Sequence, residues 1–346
     1  MTDKQKITIS LDCFGGDNGA RPVIDGMVRF LSKNKAEDVQ FLLYGDENLI
    51  KNELKKYKNY ESFYTIIHTT KKIDSDAKPS VALRHSIGSS MYMAIDAVKN
   101  NEADACVSAG NTGALMAISK LVLRPLQDID RPALIQLLPT QNNKSVAMLD
   151  LGANIECSSE NLYQFAVMGR VFYEVMTGEE NPRIGLLNIG SEDIKGNEVI
   201  KNTATILKES VLKDDFYGFV EGNDIFKEKV DVIVADGFTG NIALKTLEGT
   251  AKFVSQKIKD MMKSCPILSQ LGMLFLLPSL LKLKKKINPE NYNGALFIGL
   301  NGISIKSHGN ATGKSFECAI KNAVRAVRGD INNKIIKILK KEIEEE

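Results

Sequence analysis

The stretch ADACVSAGNTGALM, residues 103–116, joins an apolar run to small polar residues and then to a helical pattern. Residues 105–108 predict a buried strand, and the apolar spacing after residue 113 predicts a helix. The junction carries glycines and hydrogen-bonding side chains, namely Ser108, Gly110, Asn111, Thr112 and Gly113. A strand that ends at the start of a helix presents backbone N–H groups to an anion. The stretch therefore predicts either an anion-binding turn or an ordinary helix cap.

Short apolar runs alternate with amphipathic helical patterns along most of the chain. We predict strands at residues 7–12, 39–44, 105–108, 133–138, 146–151, 184–189, 232–235 and 295–300. We predict helices at residues 80–99, 159–176, 197–212, 241–262 and 332–341. Near-continuous apolar strands separated by helices are typical of a mainly parallel sheet covered on both faces. The predicted fold class is therefore α/β, an α/β/α sandwich.

The composition argues against several classes of protein. The 346 residues are 43% hydrophobic and carry a formal net charge of +2, so the chain can bury a large core and has no strong field for nucleic acid. The five cysteines lie far apart, without the spacing of a disulfide framework or a zinc site. No apolar signal region precedes the first strand, and neither a linker nor a repeat divides the chain. We therefore expect one cytoplasmic α/β/α domain over residues 1–346 that holds no metal.

Glycines and small polar residues recur where the predicted strands end. In open parallel sheets, ligands bind beyond the carboxyl ends of the strands, so these residues are expected to share one edge of the sheet. Neither a P-loop nor a dinucleotide-binding glycine pattern is present, and we expect no cofactor. Each turn by itself is also explained as a plain tight turn, so the prediction depends on their accumulation. Besides the junction residues named above, the predicted anion-binding set comprises Asp12, Gly15, Gly16, Asp17, Asn154, Asn188 and Gly240.

Four further residues carry groups suited to an anionic reaction centre. Lys195 follows a strand-end glycine and is predicted to open a helix, although a surface lysine is the alternative. His308 lies in a glycine-containing loop, where contact with a ligand is favoured over core packing. Asp236 and Asn241 follow a single strand, and each could instead cap a helix. Neither a Ser-His-Asp pattern nor a nucleophile elbow is present, so positioning and electrostatic stabilisation are the predicted chemistry.

Longer motifs give the chain a resemblance to a known family. They are DCFGGD (12–17), the stretch 103–116, DLGAN (150–154), GLLNIGSEDIKGNE (185–198), DGFTGNIALKTLEG (236–249) and NGISIKSHG (301–309). On these residues the chain resembles the PlsX family, the phosphate acyltransferases of bacterial phospholipid synthesis. The resemblance spans about residues 7–328 with the motifs in order.

The resemblance implies that a long-chain fatty acyl group moves from acyl carrier protein to inorganic phosphate, which yields an acyl phosphate. It also implies a fold similar to phosphotransacetylases and isopropylmalate dehydrogenases, a homodimer at the inner face of the membrane, and a reaction without cofactor or metal. The product would pass to a downstream membrane glycerol-3-phosphate acyltransferase. Two alternatives stay open: a phosphotransacetylase-like enzyme that uses coenzyme A, and a non-catalytic membrane-bound scaffold for lipid synthesis.

On this interpretation the predicted anion-binding set holds phosphate. We assign contacts with phosphate and with the carbonyl oxygen of the thioester to Lys195, Asn111, Asn241 and His308. Asp236 is the candidate to orient phosphate or to accept its proton. Because a thioester is already activated, a site that aligns it with phosphate needs no enzyme nucleophile.

One segment interrupts the α/β pattern. CPILSQLGMLFLLPSLLKLKKK, residues 265–286, is strongly apolar and then basic. Pro278 breaks a continuous helix, so we predict a helical hairpin at about residues 263–290. Apolar insertion with lysines near anionic headgroups favours peripheral binding to a membrane, and burial in a dimer interface is the alternative.

Overall fold

The strands form one continuous sheet in the computed structural model, which describes residues 6–34, 36–142, 144–264 and 292–345. Within these residues the sheet has eleven strands. They are β1 Ile7–Asp12, β2 Val39–Gly45, β3 Tyr64–His68, β4 Ala105–Ser108, β5 Ala133–Pro139, β6 Ser145–Leu149, β7 Ile184–Leu187, β8 Phe216–Val220, β9 Val232–Val234, β10 Ala295–Ile298 and β11 Ile303–Lys306. All the strands predicted from the sequence are present, with closely similar bounds.

The predicted set lacks three of these strands, β3, β8 and β11. The strands β3 and β8 lie at the two edges of the sheet and are only partly buried, so patterning for a fully buried strand does not detect them. The strand β11 is buried between β4 and β10, yet it carries Ser304 and ends at Lys306. Hydrophobic patterning underestimates both kinds of strand.

Helices cover the sheet. They are α1 Ala20–Asn34, α2 Glu47–Leu54, α3 Pro79–His85, α4 Ser90–Lys99, α5 Thr112–Leu123, α6 Ser159–Thr177, α7 Glu198–Glu209, α8 Gly237–Ser264, α9 Gly313–Arg328 and α10 Ile331–Glu345. The single helix predicted over residues 80–99 is wrong, because the chain forms α3 and α4 there. The Ser89 hydroxyl accepts a hydrogen bond from the Tyr92 amide at 3.2 Å and so caps α4 as a separate helix.

Apolar side chains pack on both faces of the sheet. On one face, Leu11 and Phe41 are fully buried in a cluster that includes Phe316 of α9. On the other face, Met148 is fully buried in a cluster that includes Leu115 of α5. Each such side chain contributes roughly 1.5–3 kcal/mol when it leaves water. Burial on both faces confirms the predicted α/β sandwich, while its division into domains stays a prediction.

The direction of the strands reverses within the sheet. The order is β3-β2-β1-β4-β11-β10-β5-β6-β9-β7-β8. β10 runs antiparallel to both β11 and β5, and β5 runs antiparallel to β6. The remaining neighbouring pairs are parallel. Consequently β6, β7, β8 and β9 point opposite to β1, β2, β3, β4 and β11. From the sequence we expect all the polar strand ends to share one edge of the sheet, meaning the side at which the carboxyl ends of the strands lie. That expectation is wrong, because these two sets of strands have their carboxyl ends at opposite sides of the sheet.

Among the described residues, no helix combines the length and the apolar character needed to cross a bilayer. The hairpin predicted at about residues 263–290 lies, from residue 265 onward, outside the described residues.

Candidate active site

The first polar cluster lies where β1, β4 and β11 end, and the Asp12 carboxylate is at its centre. It accepts hydrogen bonds from the hydroxyls of Ser90 and Ser108, both at 2.6 Å. It also accepts from the backbone amides of Phe14 at 3.2 Å and Gly15 at 3.0 Å. Burial raises the pKa of Asp12, and these four donors oppose that shift. Asp12 therefore fixes the loop that follows β1.

Glycines bring the loops after β1, β4 and β11 into direct contact. A Cβ atom at Gly15 would lie 2.7 Å from the backbone nitrogen of Gly110. Gly16 has a φ of +99°, and a Cβ there would lie 2.9 Å from the carbonyl oxygen of Gly309. The Asp17 amide donates to that same oxygen at 2.8 Å. Gly15, Gly16 and Gly110 of the predicted set thus act by close backbone packing. Asp17 is exposed beside them.

Asn111 caps helix α5. Its side-chain oxygen accepts from the Ala114 amide at 2.8 Å, and its side-chain nitrogen donates to the Ser75 carbonyl at 2.7 Å. Both ends of the amide are therefore engaged within the protein, which supports the helix-cap interpretation of this residue. Thr112 and Gly113 form the first turn of α5, so the positive end of its dipole lies at this edge of the sheet.

Lys306 joins the same cluster and is absent from the residues selected by sequence. It is the last residue of β11, in register with Ser108 of β4. Its ammonium group donates to the Ser307 carbonyl. Burial lowers the pKa of Lys306 to about 8, Asp17 opposes this shift, and the charge of Lys245 adds to it. A lysine at the end of a strand, inside the quoted motif NGISIKSHG, was the signal that could have identified it.

His308 lies two residues beyond Lys306. Its backbone amide donates to the side-chain oxygen of the buried Asn293 at 3.0 Å, which fixes the loop. Burial lowers the pKa of His308, Glu248 opposes the shift, and Lys306 and Lys245 reinforce it. The imidazole is therefore neutral near pH 7 and offers one donor and one acceptor.

The second polar cluster lies at the opposite edge, where β6, β9 and β7 end. Asp150 is largely buried there and accepts from the backbone amides of Leu134 at 2.9 Å, Gly152 at 3.1 Å and Asn154 at 2.7 Å. The side-chain nitrogen of Asn154 donates to the Pro132 carbonyl at 2.8 Å. Burial raises the pKa of Asp150, and the backbone amides oppose that change. Asn154 thus stabilises the DLGAN loop.

Asp236 caps helix α8. Its carboxylate accepts from the Thr239 amide at 2.8 Å and from the Thr239 hydroxyl at 2.9 Å. The helix consequently begins at Gly237, and the start predicted at Asn241 is wrong. The capping role that the sequence allowed for both residues belongs to Asp236.

Asn241 instead lies in the second turn of α8, with an exposed side chain. A Cβ atom at Gly152 would lie 3.3 Å from the Asn241 Cβ, so the glycine lets the DLGAN loop approach this side chain. At Gly240, a Cβ atom would lie 2.0 Å from the Asp150 carbonyl oxygen. Glycine at both positions therefore permits the contact between α8 and the loop.

Lys195 lies in the loop between β7 and α7. Helix α7 begins at residue 198, after its cap Asn197, so the prediction that Lys195 opens a helix is wrong. The side-chain nitrogen of Asn188 donates to the Lys195 carbonyl at 3.3 Å, and Gly196, at a φ of +90°, packs against Asn188. Asn188 therefore shapes this loop, while the Lys195 side chain is exposed.

Helix α8 connects the two clusters. Asn241, Lys245, Glu248 and Lys252 lie three or four residues apart and form one face of the helix, which we name the α8 stripe. Asn241 contacts the DLGAN loop, and the other three residues each lie close enough to His308 to shift its pKa. The stripe thus spans from the second cluster to the first.

The candidate side chains differ in whether they already form hydrogen bonds within the protein. Within the described part of the chain, the side chains of Lys195, Asn241 and His308 make no hydrogen bond to another residue. Those of Asp12, Ser108, Asn111, Asn154, Asn188 and Asp236 all do. In the same part of the chain, no group of histidine, cysteine and acidic side chains is placed to hold a metal ion. The free groups are a cation, an amide and a neutral imidazole, which suit an anion and a polarised carbonyl.

Comparison with known proteins gives the chain a family. Residues 7–334 match the sequence model of the family described as "Fatty acid synthesis protein". A phosphate acyltransferase of Paramagnetospirillum magneticum is 47% identical over 331 residues, which cover 96% of this chain and 93% of the relative. A phosphate acyltransferase of Caulobacter vibrioides is 45% identical over 337 residues, with coverage of 97% and 92%.

Solved structures share the fold at much lower identity. A phosphotransacetylase from Streptococcus pyogenes superposes with a TM-score of 0.61 at 16% identity, covering 94% of this chain and 95% of that one. A branched-chain phosphotransacylase from Enterococcus faecalis gives a TM-score of 0.57 at 12% identity, with coverage of 93% and 99%. The predicted similarity to the phosphotransacetylase fold is confirmed.

Proposed function

The chain belongs to the fatty acid synthesis protein family and transfers an acyl group to phosphate, and we propose that the acyl donor is acyl carrier protein. The resemblance to the PlsX family is confirmed by the family match over nearly the whole chain. That match is the observation that carries the proposal, because it includes every strand end at which a candidate residue lies.

The reaction joins two anionic partners. An oxygen of hydrogen phosphate attacks the thioester carbonyl, the C–O bond forms, and the C–S bond breaks. The thiolate leaves and takes up the proton that hydrogen phosphate gives up. Negative charge grows on the carbonyl oxygen during the attack, beside a phosphate that is already charged. Fixed donors and cations stabilise that charge without reorganising, so they act on the transition state.

We propose that Asn241 and Lys195 donate to the carbonyl oxygen of the thioester, and that His308 contacts the phosphate. All three side chains are free within the described residues, which supports this assignment. The structure supports a different role for Asp236, because its carboxylate already accepts two hydrogen bonds from Thr239. We therefore propose that Asp236 orients Asn241 through α8 and is not required as a base.

The predicted phosphate-binding residues otherwise stay a proposal. Backbone packing by the glycines supports a role in shaping the two clusters. Thr112 is exposed at the start of α5, and we propose that it contacts bound anion there.

We further propose a homodimer. Apolar side chains are exposed along α8, where Phe238 is 60%, Ile242 50% and Phe253 62% exposed. Large apolar side chains that are exposed along a long helix are typical of a surface that another chain covers. For the segment 265–286 we propose binding to the inner face of a membrane, supported by its apolar and then basic sequence.

The test compares acyl donors in the presence of inorganic phosphate. We expect long-chain acyl-carrier protein to give acyl phosphate, measured by mass spectrometry, without ATP or added metal. Turnover of acyl-coenzyme A alone would establish the phosphotransacetylase-like alternative. Absence of product with either donor, from protein shown to be folded, would favour the scaffold.

A further inference from the structure

Lys306 is a lysine in an unusual position. Its side chain is half-buried at the end of β11, close to the buried Asp12. Asp12 already accepts four hydrogen bonds, so little of its capacity remains for a cation. In the part of the chain that the structure describes, Lys306 forms no ion pair within 4.0 Å, and its hydrogen bond goes to the Ser307 carbonyl.

The α8 stripe brings more positive charge to the same place. Lys245 lies near enough to lower the pKa of Lys306, and Lys252 near enough to lower that of His308. Glu248 lies among them and forms an ion pair with Lys245 at 2.9 Å. The carboxylates near these three lysines are Asp12, Asp17 and Glu248, and two of them already have partners, because Asp12 accepts four hydrogen bonds and Glu248 pairs with Lys245. A half-buried ammonium group that has no ion pair among the described residues favours the binding of an anion.

The other groups at this edge suit a phosphate group. Helix α5 starts here, and its dipole favours negative charge. The ring of His308 adds a neutral donor, and a lysine ammonium supplies several donors to a tetrahedral oxyanion. Asn241 precedes Lys245 by one helical turn, about 6 Å along α8, so an anion held at Lys245 lies next to the proposed carbonyl donor.

We propose that Lys306 and Lys245, together with His308, bind the inorganic phosphate that receives the acyl group. This inference rests on the proposed function and deepens it, because it separates the phosphate from the thioester. Phosphate occupies the first cluster, and the thioester carbonyl lies toward Asn241.

The test measures phosphate binding and turnover separately in the full chain. Variants are Lys306→Met, Lys245→Ala and the conservative Lys245→Arg. The matched control is Lys257→Ala on the same helix, where the ammonium lies 5.7 Å from the centre of the Phe253 ring. Calorimetric titration with inorganic phosphate, without any acyl donor, gives the Kd. Steady-state kinetics give KM for phosphate and for the acyl donor.

We expect Lys306→Met and Lys245→Ala each to raise the phosphate Kd and KM about ten- to a hundredfold, because each removes a charged hydrogen bond to the anion. The acyl donor KM stays unchanged, Lys245→Arg retains most of the affinity, and Lys257→Ala matches the parent. Lys245 is exposed, so its substitution leaves the fold intact even if Lys306→Met unfolds the protein.

Three results overturn the inference: no phosphate binding by the parent chain, an unchanged phosphate Kd in the Lys245→Ala variant, or an increase in the donor KM alone. Failure of acyl carrier protein as donor is a separate result. It would refute the proposed donor, while the calorimetric titration would still report on the phosphate site.

Discussion

The phosphate KM should rise with pH through the ionisation of Lys306. Burial, opposed by Asp17 and reinforced by Lys245, places the pKa of Lys306 at about 8. The ammonium form binds phosphate and the neutral amine does not, so affinity is full below this pKa and is lost above it. With a pKa of about 8, roughly nine-tenths of the lysine is protonated at pH 7 and roughly one-tenth at pH 9. The expected rise in KM is therefore about tenfold between these two values.

Other titrating groups lie near Lys306, and their effects on the pH dependence of the phosphate KM must be distinguished from that of Lys306. Asp12 on β1 and Asp17 in the following loop contribute negative charge, and Lys245 and Glu248 contribute from α8. His308 has a pKa below its ordinary value of 6.5, so it becomes charged only at lower pH. Inorganic phosphate also gains charge as pH rises, an effect that all variants share.

The assay is the initial rate of acyl phosphate formation at saturating acyl donor, with phosphate varied at each pH from 7 to 9. Lys306→Arg is the matched control, because a guanidinium stays protonated over the whole range. We expect the phosphate KM of the parent to rise about tenfold relative to that of Lys306→Arg, which follows only the ionisation of phosphate itself. A flat profile for the parent chain, or the same rise in Lys306→Arg, would refute the assignment of phosphate to this lysine.

Three further predictions address other parts of the molecule. Lys195→Ala should lower kcat/KM for acyl transfer about ten- to a hundredfold, the effect of removing a charged hydrogen bond, while the calorimetric phosphate Kd stays near that of the parent. Gly240→Ala should lower the free energy of unfolding by about 1–3 kcal/mol in urea titrations, because its Cβ would lie 2.0 Å from the Asp150 carbonyl oxygen. Leu274→Glu with Leu277→Glu should release the protein from anionic liposomes in sedimentation while it stays dimeric by light scattering.

The first two of these predictions have matched control variants. Lys201→Ala removes an exposed lysine from the body of α7 and should leave acyl transfer unchanged. At Gly249, in the same helix as Gly240, a Cβ would meet nothing within 4 Å. Gly249→Ala should therefore stabilise the chain by roughly 0.5–1 kcal/mol, the ordinary gain for alanine over glycine in a helix. Equal effects of the two glycine substitutions would contradict the steric argument. For the leucine pair, liposome binding that persists, or dissociation into monomers, would favour the dimer-interface alternative.

The sequence by itself identified eight of the eleven strands, the helices α5, α6, α7, α8 and α10, and the fold class. These depend on local periodicity, since a buried strand is apolar wherever it lies in the sheet. The order of the motifs also sufficed for the family, and the position of Asp12, Asn111 and Asp236 at strand ends was correct. The local pattern did not say whether each of these polar side chains is free of hydrogen bonds within the protein. The sequence left helix capping open as an alternative, and Asn111 and Asp236 do cap helices.

Only the tertiary structure decided which strand ends lie together. A strand that is buried on both faces is an apolar run whether it is parallel or antiparallel to its neighbour, so the reversal at β10 and β5 is invisible in the sequence. That reversal divides the predicted residues between two edges of the sheet. The capping of α8 by Asp236 then starts this helix early enough for its polar face to link the edges, with Asn241 near one and Lys245 near the other. Lys306 became a candidate only in the tertiary structure. Its half-burial and the nearby charge of Lys245 depend on packing between segments about 60 residues apart in the chain. Local periodicity does not encode such long-range packing.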